Sequence, residues 1–175
     1  MVATMARALV FDLDGTLIDS APDLHRALAL LLAEEGLSAP SLAAVIGMVG
    51  DGAAKLVERA FAHAGRPADG AAPSLLARFL VHYEGEPVLL TRPYPGVADT
   101  LAALRADGHR MAICTNKPDA PSHAVLAALG LAPCFDAVVG GDAAPARKPD
   151  PRHLEAALAG IGAAASDAVM IGDGI

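Results

Sequence analysis

Six polar residues stand just beyond the ends of short apolar runs. Asp12 and Asp14 follow the run at 8–11, Thr115 and Asn116 follow 111–114, Lys148 comes after 137–139 and the Gly140-Gly141-Asp142 segment, and Asp173 follows 169–171. If those runs are strands of one open sheet, all six residues meet at its carboxyl rim, where such sheets hold ligands. Three acids, a hydroxyl, an amide residue and an ammonium group on one rim suit phosphoryl transfer. Asp12 and Asp173 each offer a carboxylate oxygen to a hard cation such as Mg²⁺, and Asp14 offers its backbone carbonyl. The Asp14 carboxyl, pointing elsewhere, is then free for proton transfer. Asp12, its charge offset by the cation, attacks phosphorus to give an aspartyl-phosphate. Thr115, the Asn116 N–H and Lys148 hold the remaining phosphoryl oxygens. Singly these signals are weak, because D-x-D is usually a surface acid pair and G-D-G usually a turn. Their weight lies in four of them occurring in order, each after a separate strand.

The elements that must position these residues are legible in the spacing. The short apolar runs read as buried strands. Ser20-Ala-Pro-Asp23 reads as a capping box opening a helix with Leu24, Leu28, Leu31 and Leu32, stopped by Gly36. Leu56, Val57, Ala60, Phe61 and Ala64 form a second helical stripe ending at Gly65, and Leu75, Leu76, Phe79, Leu80 and Tyr83 a third ending at Gly85 and Pro87. From Pro93 strands alternate with single helices, the signature of parallel β-α-β units with right-handed crossovers. The first strand belongs with these later ones. The expected architecture is therefore an α/β core of residues 1–19 and 87–175 with a helical cap, 20–86, inserted after the first strand.

Composition narrows the partners. The chain has 175 residues, 13 Lys+Arg against 20 Asp+Glu, and a formal net charge of −7, which argues against a nucleic-acid surface. The mean hydropathy of +0.43 reflects 40 alanines rather than a lipid-facing surface, and no apolar stretch approaches the ~20 residues of a membrane span. Cys114 and Cys134 do not form a C-x-x-C pair, so free thiols are expected, and without a signal peptide the expected compartment is the cytoplasm. A small phosphorylated metabolite is the expected partner, with no nucleic acid and no membrane.

Val10-Phe-Asp-Leu-Asp-Gly-Thr16, Cys114-Thr115-Asn116, Lys148-Pro149-Asp150-Pro151 and Ile171-Gly172-Asp173 together resemble the four motifs of the haloacid dehalogenase superfamily. The helical insertion resembles the small cap of its subfamily I. Residues 14–24, Gly50-Asp-Gly-Ala53 and Pro93-Tyr-Pro-Gly-Val97 are similar to the phosphoglycolate phosphatase branch. The resemblance implies a Rossmann-like parallel sheet, Asp12 as nucleophile, Asp14 as general acid and base, Thr115 and Lys148 as phosphate binders, and Mg²⁺ on Asp12 and Asp173. It also implies a second acid at position 177 and a further strand and helix, so a C-terminally shortened core is expected. An acid at Asp14 favours hydrolysis of a phosphomonoester, or mutase chemistry, over dehalogenation.

The cap offers Gly50-Asp-Gly-Ala-Ala-Lys55 at a helix start, where free N–H groups favour an anion. Gly52 and Lys55 are the expected holders of a substrate carboxylate such as that of 2-phosphoglycolate. Sugar phosphates, nucleotides, pyrophosphate and hexose-phosphate mutation remain open as alternatives within the family. From other classes, a non-catalytic phosphoacceptor module and an inactive fragment remain open. The histidines show no metal-ligand pairing and read as surface or satisfied residues.

Overall fold

The structure, a computed structural model, describes residues 7–68, 72–86 and 88–174. Pro87, the expected stop of the third helical stripe, lies outside the described residues.

Four parallel strands make the main sheet, in the order β5-β4-β1-β6: β1 (Ala8–Phe11), β4 (Arg110–Cys114), β5 (Ala137–Val139) and β6 (Ala168–Ile171). β1 lies centrally, with Phe11 level with Ile113 on one side and Ile171 on the other. This register brings the residues after each strand to one rim. Both faces are covered, as an all-parallel sheet requires. Leu9, Phe11, Met111 and Ile113 point to one side, against α5 (Val97–Ala106) and α6 (Asp119–Ala128). Ala8, Val10, Ala112 and Cys114 point to the other, against Ala157, Leu158 and Ile161, of which the first two belong to α7 (Pro151–Gly160). Asp150 opens α7 as an N-cap, its side chain accepting the Arg152 N–H.

The elements between the first two strands and the third are all helices among the described residues, and they carry a core of their own. α1 (Ala21–Glu34) buries Leu24, Ala27, Leu28, Leu31 and Leu32, the helical stripe read from the sequence. α3 (Ala53–His63) adds Leu56, Val57, Ala60 and Phe61, and α4 (Ala72–Glu84) adds Leu75, Phe79 and Tyr83. Leu28, Leu31 and Leu32 are fully buried, and each such leucine contributes about 1.5–3 kcal/mol of transfer free energy. A short helix absent from the sequence reading, α2 (Leu42–Ile46), is capped by Ser41 and contributes Val45.

The two connections to this helical block lie side by side. β2 (Ile18–Asp19) pairs antiparallel with β3 (Arg92–Pro93), and Tyr94 N–H donates to Leu17 O at 3.0 Å. This two-residue ladder is too short to show periodicity in the sequence. The expected capping box is corrected here. Ser20 occupies the N-cap position but makes no side-chain cap bond, because its hydroxyl donates to Asp14 Oδ1 at 2.5 Å. Asp23, completely buried, instead accepts the Leu90 N–H, the Thr91 N–H at 2.8 Å and the Thr91 hydroxyl at 2.7 Å. A motif that looks local is thus divided between the catalytic rim and the return connection.

Candidate active site

Asp12 leaves β1 with its N–H on Ile171 O at 2.8 Å, which fixes the start of the loop against β6. Its Oδ1 accepts the Leu13 N–H at 2.8 Å, and its Oδ2 lies 2.5 Å from Lys148 Nζ. Burial pushes the Asp12 carboxyl up from its ordinary value, and the Lys148 ammonium opposes that rise. Lys148 is held from behind by His153, a buried residue of α7. Its Nδ1 accepts the Lys148 N–H at 3.2 Å while Nε2 faces Val139 O at 3.2 Å. This satisfied histidine fixes the backbone of the lysine without facing the site.

The Asp14 carboxyl turns away from Asp12. It takes the Ser20 hydroxyl and faces Lys117 Nζ at 3.3 and 3.5 Å. Thr115 and Asn116, both buried, follow β4. Thr115 Oγ1 accepts the Lys117 N–H at 3.2 Å, so the hydroxyl hydrogen remains available for a phosphoryl oxygen. Asn116 Nδ2 donates to Gly50 O at 3.0 Å and to Lys148 O at 3.3 Å, while its buried Oδ1 has no partner among the described residues. Asn116 therefore ties the Gly50 loop of the helical block to the core, besides offering its backbone. Gly52 lies against the same residue, where a Cβ would stand 3.0 Å from Asn116 O.

Asp173 sits across the rim, its Oδ1 accepting the Thr16 hydroxyl at 3.1 Å and its N–H donating to Thr16 Oγ1. Gly15, at φ +83°, leaves room for it: a Cβ there would be 2.4 Å from Asp173 Oδ2. Asp12, Lys148, Gly172 and Asp173 line one open cleft of about 820 Å³. Next to it, Asp12, Asp14, Gly52, Thr115, Asn116 and Lys117 line a small cavity of about 40 Å³, roofed by Leu56, Phe79 and Tyr83 from the helical block.

The donors suit a hard cation, all of them oxygens. Among the described residues no three His, Cys, Asp or Glu side chains gather as a metal cluster. The Asp14 carboxyl is bonded to Ser20 and Lys117. Two carboxylates, Asp12 and Asp173, and the Asp14 carbonyl form the set that fits Mg²⁺, which keeps several waters in its octahedron.

Lys55 is not brought to this site. It is half-exposed and paired with Glu58 at 2.8 Å, one turn along α3. The cation in its place is Lys117, 4% exposed at its side chain, which the sequence reading passed over. Burial works against its charge, but the Asp14 carboxylate and the Tyr83 hydroxyl outweigh that and hold its pKa up at about 12. Tyr83, read as a core position, brings its hydroxyl to 2.7 Å from Lys117 Nζ. A lysine between Asn116 and Pro118 carries no local sign of burial. Only the position of α4 above the loop encloses it.

The model of the haloacid dehalogenase-like hydrolases matches residues 6–175. A phosphoglycolate phosphatase of Caulobacter vibrioides is 48% identical over 168 residues, covering 95% of this chain and 71% of that protein. The phosphoglycolate phosphatase of Rhodospirillum rubrum is 48% identical over 174 residues, 97% of this chain and 72% of the relative. Among solved structures, a "predicted phosphoglycolate phosphatase" from Haemophilus somnus superposes with a TM-score of 0.86 at 29% identity, over 97% of this chain and 78% of that one. Matched by this family's model over nearly its whole length and 48% identical to two relatives, the chain belongs to the haloacid dehalogenase-like hydrolases.

Proposed function

We propose that this protein hydrolyses a small phosphomonoester, 2-phosphoglycolate, through an aspartyl-phosphate on Asp12 and with Mg²⁺ as cofactor. The observation that carries the reading is the Lys148 ammonium 2.5 Å from Oδ2 of Asp12, a residue that also lines the cavity of Asp14, Thr115 and Asn116. A nucleophilic carboxylate and a trianionic or dianionic ester repel each other, and a fixed cation beside the attacking oxygen offsets this where the transition-state charge spreads. Mg²⁺, held by Asp12, Asp173 and the Asp14 carbonyl, supplies further charge neutralisation when bound.

Asp12 attacks phosphorus as the ester P–O bond breaks, and Asp14 delivers a proton to the departing alkoxide oxygen. Asp14, now a carboxylate, takes a proton from the water that attacks the aspartyl-phosphate, freeing Asp12 and inorganic phosphate. Thr115 and the Asn116 N–H hold the phosphoryl oxygens during both steps. Tyr83, Phe79 and Leu56 close over the cavity and exclude other water. The choice of 2-phosphoglycolate follows the names of the relatives. No helix among the described residues is long and apolar enough to cross a membrane, and the reading of a cytoplasmic enzyme for a small phosphorylated metabolite is part of this proposal.

Phosphate release from a panel of phosphoesters, with and without Mg²⁺, tests it. The expected result is Mg²⁺-dependent turnover that falls to background in Asp12→Asn. Release that needs no metal, or an Asp12→Asn protein of undiminished rate, refutes the assignment.

A further inference from the structure

The small cavity contains one cation. Of the residues lining it, only Lys117 is a lysine or arginine, and the walls beside it are Leu24, Leu56 and Phe79. A buried ammonium group is retained only where its charge and its donors are satisfied. Lys117 meets Tyr83 Oη at a good 2.7 Å, but Asp14 only at 3.3 and 3.5 Å. Charge-assisted N–H···O bonds normally close to about 2.7–2.9 Å. The pairing with Asp14 is therefore slack, and the ammonium has three N–H groups to place.

The two buried-side lysines divide the rim. Lys148 stands on the nucleophile, where the phosphoryl group must lie. Lys117 stands on Asp14, the residue that faces the departing oxygen in the proposed reaction. In a phosphorylated two-carbon acid the carboxyl carbon is two bonds from that oxygen. A substrate whose ester oxygen approaches Asp14 thus brings its carboxylate beside Lys117. We infer that Lys117 of the core, together with the Tyr83 hydroxyl of the cap, is the receptor for the substrate's carboxylate and so sets its specificity. The inference rests on the phosphomonoesterase reading above and names the group that selects within it.

Three features agree with this assignment. Tyr83 Oη accepts from Lys117, so its own hydrogen can donate to the carboxylate. One partner comes from α4 and the other from the loop after β4, so the receptor is complete only with the helical block seated on the core, as Asn116 and Gly50 hold it. The walls beside Lys117, Leu24, Leu56 and Phe79, offer no hydrogen bond to the hydroxyls of a sugar.

Calorimetric binding without divalent cation separates recognition from turnover. The probes are 2-phosphoglycolate and its neutral counterpart, 2-hydroxyethyl phosphate, on the parent protein, Lys117→Met and Tyr83→Phe. The parent is expected to prefer the carboxylate. Lys117→Met should reduce the preference, taken as the ratio of the two affinities, by about 30-fold or more, the loss typical of a buried charged partner. Tyr83→Phe, which keeps the ring and its stacking on Phe79, should reduce it by roughly tenfold. An equal loss for both esters in each variant, or a ratio that does not change, overturns the inference. Because binding is read without catalysis, absent turnover would count against the enzymatic reading alone, while an unchanged ratio would count against Lys117 and Tyr83 alone.

Discussion

Replacing Gly15 by alanine tests the proposed role of Asp173 in holding the metal. Gly15 has φ +83°, and Gly108, beyond the end of α5, has nearly the same value, +84°. An L-residue in that left-handed region costs roughly 1–2 kcal/mol. Both Gly15→Ala and Gly108→Ala should therefore lower the melting temperature by about 2–8 °C, at roughly 2–4 °C per kcal/mol for a chain of this size. Their surroundings differ. A Cβ at Gly108 meets nothing within 4 Å, whereas at Gly15 it would stand 2.4 Å from Asp173 Oδ2 and 2.9 Å from its Cγ. Ordinary contact is about 3.5–4.0 Å, so the carboxylate must retreat by about 1 Å. Retreat of an exposed side-chain end costs little stability, but it gives up the 3.1 Å bond from the Thr16 hydroxyl. Loss of a partner that orients a metal ligand typically costs about 10- to 100-fold in affinity. Phosphate release titrated with Mg²⁺ should show a half-saturating concentration raised by about that factor in Gly15→Ala and unmoved in Gly108→Ala. A common shift in the two variants, or none in Gly15→Ala, would refute the placement of Asp173 on the metal.

Two further outcomes follow from groups outside the rim. Asp23→Ala orphans the buried Thr91 N–H and hydroxyl at the return connection, and each unsatisfied buried donor costs about 1–3 kcal/mol. Urea denaturation should show a loss of roughly 2–6 kcal/mol, and an Asp23→Ala protein as stable as its parent would contradict the clamp. Burial pushes the Cys114 thiol up to about 11 and leaves it unexposed, while Cys134 is partly exposed. Iodoacetamide at mildly alkaline pH should therefore label Cys134 well before Cys114 in peptide mass analysis, and equal labelling would contradict the packing of β4.

The order of elements was readable because each depends on short-range spacing. Leu24, Leu28, Leu31 and Leu32 announce α1 because every third or fourth residue of a helix shares a face, and Ala8–Phe11 announces β1 because a strand covered on both sides is apolar throughout. Strand-end residues such as Asp12, Lys148 and Asp173 were readable for the same reason, since a parallel sheet puts the ends of its strands on one rim. Where short range misled, the side chains had distant partners. Ser20 and Asp23 carry the spacing of a capping box, yet one bonds Asp14 and the other the backbone at 90–91. Lys55, the only lysine of the cap, was drawn into the site by its glycine-rich neighbours, but Glu58 one turn along holds it outside.

The amino-acid order alone determined the alternation of strands and helices, the helical insertion after the first strand, and the acids and lysine that stand at strand ends. Those follow from periodicity and from the geometry of parallel sheets. Tertiary structure alone decided which cation is enclosed, and where the Asp14 carboxyl turns. Lys117 and Tyr83 are separated by 33 residues in sequence and meet only when α4 packs above the loop after β4. Burial and hydrogen bonding depend on what the whole fold brings close, and no local spacing encodes that.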